Sequence, residues 1–144
     1  MDITEIQSLW DQDSQINELK LAEESIKIPS LHAKYLRLYS ESKIQLLKLQ
    51  QAYKALYCDK KEFLINPTQE DMKKNNWQIP ERGKLLKNEI DSYLQGDRDL
   101  LKLELKIGIE QEKTDYLKSI LQSLNSRGFI IKNAIEDRKW MSGQ

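Results

Sequence analysis

The sequence predicts an all-α fold, made mostly of long amphipathic helices that pack in the manner of coiled coils. Three observations predict it. Charged residues make up 32% of the 144-residue chain and the hydrophobic set 39%, a balance that suits helices with one apolar stripe. Five glycines and three prolines are all that punctuate it, too few for a turn-rich β architecture. From Leu31 to Phe63, seam residues advance by threes and fours with only two polar interruptions, the spacing of a helix seeking a partner helix. At this length residues 1–144 are expected to form one structural unit. So polar a helical chain has little apolar surface for a thick private core, which makes burial against further copies plausible.

The first helix is expected from Ile3 to about Gln15, with Ile3, Ile6, Leu9 and Trp10 on one side, inside an acidic segment covering residues 1–24. Asn17 to Ile28 is ambiguous, and a long helix is expected to start near Pro29, because proline suits a first helical turn. That helix should run to about Leu64 through Leu31, Tyr35, Leu38, Ser42, Leu46, Leu49, Tyr53, Leu56, Lys60 and Phe63. Residues 66–80, with two prolines and three asparagines, read as a loop. A helix from Glu81 to Gln95 follows, stopped by Gly96. Asp97 or Asp99 then caps a C-terminal helix over about 97–140. Within it, residues 101–109 alternate strictly, which is the pattern of a strand. Helix is preferred there, because Leu101, Leu105 and Ile109 continue into Tyr116, Ile120 and Leu124 on one drifting stripe, and because Leu and Lys favour helix. A short strand near 101–109 is the alternative.

The charge total is zero, with 23 bases and 23 acids, but its distribution is uneven. Residues 1–24 carry a net −6, residues 25–87 a net +7 and residues 88–144 a net −1. Because screening limits distant charges to about 10 Å, a basic middle attracts phosphate whatever the total. One cysteine, Cys58, and one histidine, His32, exclude an intrachain disulfide and the usual zinc cages. No glycine-rich phosphate loop or nucleophile motif is present, so no catalytic residue, metal or cofactor is expected. The acidic start lacks the basic region of a targeting signal, and no apolar run is long enough for a membrane span, so a soluble chain in a reducing cytoplasm is expected, without a membrane partner.

Lys34, Arg37, Lys43, Lys48 and Lys54 read as the solvated side of the long helix. A denser cluster over residues 53–61 puts Lys54, Lys60 and Lys61 beside Tyr53 and Tyr57, with Lys73, Lys74 and Trp77 following. Tyr53 belongs to the apolar seam, which leaves Lys54, Tyr57, Lys60, Lys61, Lys73, Lys74 and Trp77 as candidates for single-stranded nucleic acid, where bases hold phosphates and rings stack on nucleobases. Composition alone leaves that reading level with a solvated face. Near the C-terminus, Leu117, Ile120, Leu121, Leu124, Ile131 and Ile135 form a stripe of 3.5-residue period that seeks partner helices, and it continues straight across Gly128.

The segment from Asn125 to Lys132, with Ser126-Arg127-Gly128-Phe129 at its centre, resembles the UvsY recombination mediators of large tailed phages. The likeness is best from Gly96 to Gln144, including Asp97-Arg98-Asp99-Leu100, and extends across Leu31 to Ile65. It implies a non-catalytic helper in the infected host's cytoplasm that binds single-stranded DNA. Its implied partners are the phage single-strand-binding protein and a RecA-like recombinase, which it helps to load, and its implied state is a ring-like homo-oligomer whose copies join through the stripe of Leu117 to Ile135. The family's basic DNA-binding motif falls on residues 58–63, where Lys60 fills one basic position and Cys58 stands at the other, with Lys54 and Lys61 near enough to compensate. On the residues alone, a coiled-coil adaptor that binds only protein is the alternative.

Overall fold

Helix α1 (Ile3–Asp13) opens with a capping box: Asp2 accepts from the Glu5 amide at 2.8 Å, and Glu5 accepts from the Asp2 amide at 3.0 Å. Four more helices follow in the computed structural model, which describes residues 1–143: α2 (Leu21–Ile65), α3 (Gln69–Asn75), α4 (Lys87–Leu94) and α5 (Arg98–Met141). The fold is all-α, and residues 101–109 are helical, with no strand among the described residues.

Helix α2 begins eight residues before the expected start and carries Pro29 inside it. The buried or half-buried seam of Leu31, Tyr35 and Leu38 continues upstream through Ile28, Glu24 and Leu21, so the packing face is already in phase before the proline. Proline removes one helical hydrogen bond, and Pro29 is exposed, where water can satisfy the orphaned carbonyl. The expected loop at 66–80 contains α3. Thr68 caps it by accepting from the Asp71 amide at 3.2 Å, and Asn76 ends it in the left-handed conformation at φ 56°. The helix expected from Glu81 starts only at Lys87, because Gly83 takes φ 86° in a turn closed by its amide on the Pro80 carbonyl at 2.9 Å. Asp97 caps α5 by accepting from the Leu100 amide at 3.0 Å.

The alternation at 101–109 has a helical explanation. The buried side of α5 is Leu100, Leu103, Ile107, Glu110, Thr114 and Leu117, whereas Leu101, Leu105 and Ile109 are exposed at 45%, 66% and 56%. The stripe expected through Leu101, Leu105 and Ile109 is therefore out of phase with the observed seam.

Two compact units emerge, one of residues 1–44 with the chain from Glu110 onward, the other of residues 45–109. In the first, Ile6, Tyr35, Leu117, Ile120 and Leu124 form the core, with Leu9, Trp10, Leu31 and Leu38 packed on it. Among its buried polar groups, Ser42 donates to the Glu110 carboxylate at 2.8 Å and the hydroxyls of Ser42 and Thr114 lie 2.7 Å apart, whereas one guanidinium nitrogen of Arg127 has no hydrogen-bond partner among the described residues. Arg127, 4% exposed, donates to the Asp13 carbonyl at 3.0 Å with its guanidinium carbon 5.5 Å from the Trp10 ring centroid, so it fixes the end of α1. The Asp13 carboxylate accepts from Lys34 and Tyr35, each at 2.7 Å. Burial works to raise the pKa of Asp13, but those donors outweigh it and hold the carboxyl below its ordinary value. In the second unit Phe63, Leu64, Leu85, Ile90, Leu94 and Leu100 form the core, joined by Tyr53, Leu56, Tyr57, Met72 and Trp77.

Candidate nucleic-acid interface

Helical spacing puts Lys54, Tyr57, Cys58 and Lys61 on one side of α2, since positions i, i+3, i+4 and i+7 share a face. Lys54 and Cys58 are exposed, and Tyr57 and Lys61 are half-buried. The Tyr53 and Tyr57 rings stack with centroids 6.2 Å apart. Neither Lys54 nor the α3 lysines Lys73 and Lys74 has an ion-pair partner among the described residues, and all three are exposed. Lys73 and Lys74 occupy the last turn of α3, where the helix dipole favours cations.

Acids from α4 and the start of α5 cover the rest of the basic cluster. Tyr57 donates its hydroxyl to Asp91, and Lys61 donates to the same carboxylate oxygen at 3.2 Å. The Asp91 bond, with burial adding to it, pushes the Tyr57 phenol up to about 12. Hydrogen bonds from Tyr57 and Lys61 hold Asp91 below its ordinary value.

Lys60 departs from its expected role. It is 8% exposed, and its ammonium lies 2.8 Å from both oxygens of Asp97 and 2.8 Å from Asp99. An ammonium has three donors, so none is left for a phosphate. Burial alone would lower the pKa of Lys60, yet Asp97 and Asp99 raise it, and Lys60 holds Asp99 below its ordinary value in turn. The ammonium also lies 5.7 Å from the Trp77 ring centroid. Lys60 is therefore a clamp tying α2 to the start of α5.

Trp77 packs against Phe63 with ring centroids 5.4 Å apart and borders two clefts. One, of about 700 Å³, is lined by Lys60, Trp77, Tyr93, Asp97, Arg98 and Asp99. The other, of about 570 Å³, has Asp59, Glu62, Asp71 and Lys74 along it and is the more acidic. Sequence reasoning did not single out Asp91 or Arg98 as site residues. Arg98 was within reach as part of the quoted Asp97-Arg98-Asp99 run, whereas Asp91 lies 30 residues from Lys61 and no local pattern marks it.

The stripe expected to join copies is largely spent within the chain. Leu117, Ile120, Leu124 and Ile131 are at most 2% exposed, and Leu121 and Ile135 are half-buried. Leu117, Ile120 and Leu124 pack with Ile6 and Tyr35, because α1 and α2 of the same chain cover this face. Exposed instead on α5 are Phe129, Ile130, Trp140 and Met141, at 72%, 58%, 83% and 80%.

Among the described residues no group of three or more His, Cys, Asp or Glu is placed to hold a metal, and no helix is long and apolar enough to cross a membrane. Residues 9–144 match the family described as "Recombination, repair and ssDNA binding protein UvsY". The chain belongs to the UvsY family. Three crystal structures of the bacteriophage T4 recombination mediator protein UvsY share the UvsY fold seen here. The form in lattice type II is 22% identical, with a TM-score of 0.83 over 100% of this chain and 99% of that one. Lattice type IV is 21% identical with a TM-score of 0.78 over 98% and 99%, and lattice type I is 22% identical with a TM-score of 0.78 over 95% and 98%. No curated protein matches the sequence.

Proposed function

We propose that this UvsY-family chain is a non-catalytic recombination mediator that binds single-stranded DNA and promotes loading of a RecA-like recombinase onto strand coated by single-strand-binding protein, in the cytoplasm of the infected bacterial host. Family membership over residues 9–144 is the observation that carries the reading. The unpaired Lys54, Lys73 and Lys74, with Lys61, Tyr57 and Trp77 in the same unit, supply the cations and rings that single-strand binding uses. Lys60 serves by holding this face together.

The working form is a ring-like homo-oligomer. Phe129, Ile130, Trp140 and Met141 leave large apolar side chains exposed along the end of α5, and a second copy of the chain is their occupant. Several modest sites on one assembly hold a strand at high effective concentration, so the assembly binds far better than one subunit. Extending the strand over that scaffold weakens the resident binding protein and presents DNA to the recombinase.

A fluorescent oligonucleotide titrated at two salt concentrations tests the reading. Binding that weakens with salt, and weakens further when Lys54, Lys73 and Lys74 are all changed to alanine, supports it. No binding at either salt would make the chain a protein-only adaptor. Sedimentation of a Phe129→Asp, Ile130→Asp variant tests the assembly surface: the wild type should sediment as an oligomer and the variant as a smaller species.

A further inference from the structure

We propose that Asp91 is a built-in stand-in for a DNA phosphate: its carboxylate occupies the Tyr57 hydroxyl and the Lys61 ammonium until a strand displaces it. The inference rests on the single-strand reading above and names how that face is regulated.

One oxygen of Asp91 receives both donors, Lys61 at 3.2 Å and the Tyr57 hydroxyl. A hydroxyl and an ammonium converging on one anionic oxygen is the arrangement that phosphate contacts take, and phosphate accepts the same two bonds. The site can also exchange. The Lys61 and Asp91 side chains are 41% and 57% exposed, so the pair opens by rotation about side-chain bonds without unfolding. Lys54, one turn before Tyr57 on the same face, has no anion among the described residues and lies free to meet an adjacent phosphate. Lys60 shows the contrast: 8% exposed and bonded to three carboxylate oxygens, it would have to give up three bonds to trade partners. The donors that hold Asp91 also keep it ionised at neutral pH, so it competes as a full anion.

Self-competition lowers apparent affinity by the fraction of time the donors are free. An exposed ion pair is weak, so the reduction is modest, about three-fold per site. The device also works in reverse. When a strand is pulled toward another protein, Asp91 recaptures the donors and speeds release.

The test uses the full chain and a fluorescein-labelled oligo(dT), with anisotropy measured at low and high salt. Asp91→Asn should bind about three-fold more tightly and show a salt slope steeper by up to ~0.7 per site. Lys61→Ala should bind more weakly, and adding Asp91→Asn to it should recover little. Asp115→Asn, the same charge change in the other unit, should leave affinity where it was. An Asp91→Asn affinity no tighter than wild type, an equal gain in the Lys61→Ala background, or an equal gain from Asp115→Asn would overturn the proposal. If Lys61→Ala weakens binding while Asp91→Asn changes nothing, this proposal falls and the DNA-binding face stands. If Lys61→Ala leaves affinity and salt slope unchanged, the face itself is misassigned and both fall.

Discussion

The two units use their helix seams differently. In the first, the hydrophobic core positions of α2 and α5 are Tyr35, Leu117, Ile120 and Leu124, and two buried charges are bonded mainly to neutral groups, Glu110 to the Ser42 hydroxyl and Arg127 to the Asp13 carbonyl. In the second, a lysine sits in the seam itself, with Lys60 buried among Asp97, Asp99 and Trp77. Apolar burial is non-directional and gives stability, whereas a buried ammonium bonded to three oxygens fixes geometry at little net gain. Substitutions in the first unit should therefore register as stability, and those on the exposed face of the second as binding.

The largest test of that division is Leu117→Ala or Leu124→Ala. Each should cost about 2–5 kcal/mol in denaturant unfolding, and with it any assembly that depends on the fold. Lys60→Ala should cost about 2–3 kcal/mol by leaving Asp97 and Asp99 facing each other without a cation, while Lys60→Met, which keeps the packing, should cost less. If Lys60→Ala leaves the unfolding midpoint unchanged but abolishes DNA binding, the contrast between the units is wrong and Lys60 contacts the strand directly.

A third test changes only pH. The carboxyls of Asp13, Asp91 and Asp99 lie below the ordinary 3.8 in the folded chain, so the stability they give is complete above that value and is lost as pH falls through the lowered ones. Lys60 lies above its ordinary 10.5 and Tyr57 near 12, so their stability is complete below the ordinary values and is lost as pH rises through the folded ones. Tm should be level through neutrality and fall at both ends, and Lys60→Met should remove only part of the alkaline fall, because the phenols of Tyr35 and Tyr57 are raised as well. The smallest effect is expected at Gly128, inside α5, where an added Cβ meets nothing within 4 Å. Gly128→Ala should raise stability by up to about 1 kcal/mol, and a loss of oligomer on making it would place a second copy against that position.

Periodicity made most of α2 legible, since every seam position from Leu31 to Phe63 is buried or half-buried. It failed at Pro29 because a local rule about proline outweighed a seam already in phase at Leu21, Glu24 and Ile28. In α5 the pattern contained two apolar rows, and spacing alone did not say which one turns inward. The stripe from Leu117 to Ile131 illustrates a general limit: a periodic apolar row says that a face is covered, and not whether the cover is the same chain or another. The site was legible as a set of bases and rings, and its acids were not, because Asp97 and Asp99 reach Lys60 across 37 and 39 residues.

Cys58 is the chain's one thiol and is exposed on the same side of α2 as Lys54 and Lys61. A maleimide dye would therefore attach at a single defined position, beside the groups assigned to the strand, without any engineered residue. Energy transfer between dyes on neighbouring copies would then report spacing around an assembly, and a change in brightness on adding oligonucleotide would report occupancy, both from one labelled sample.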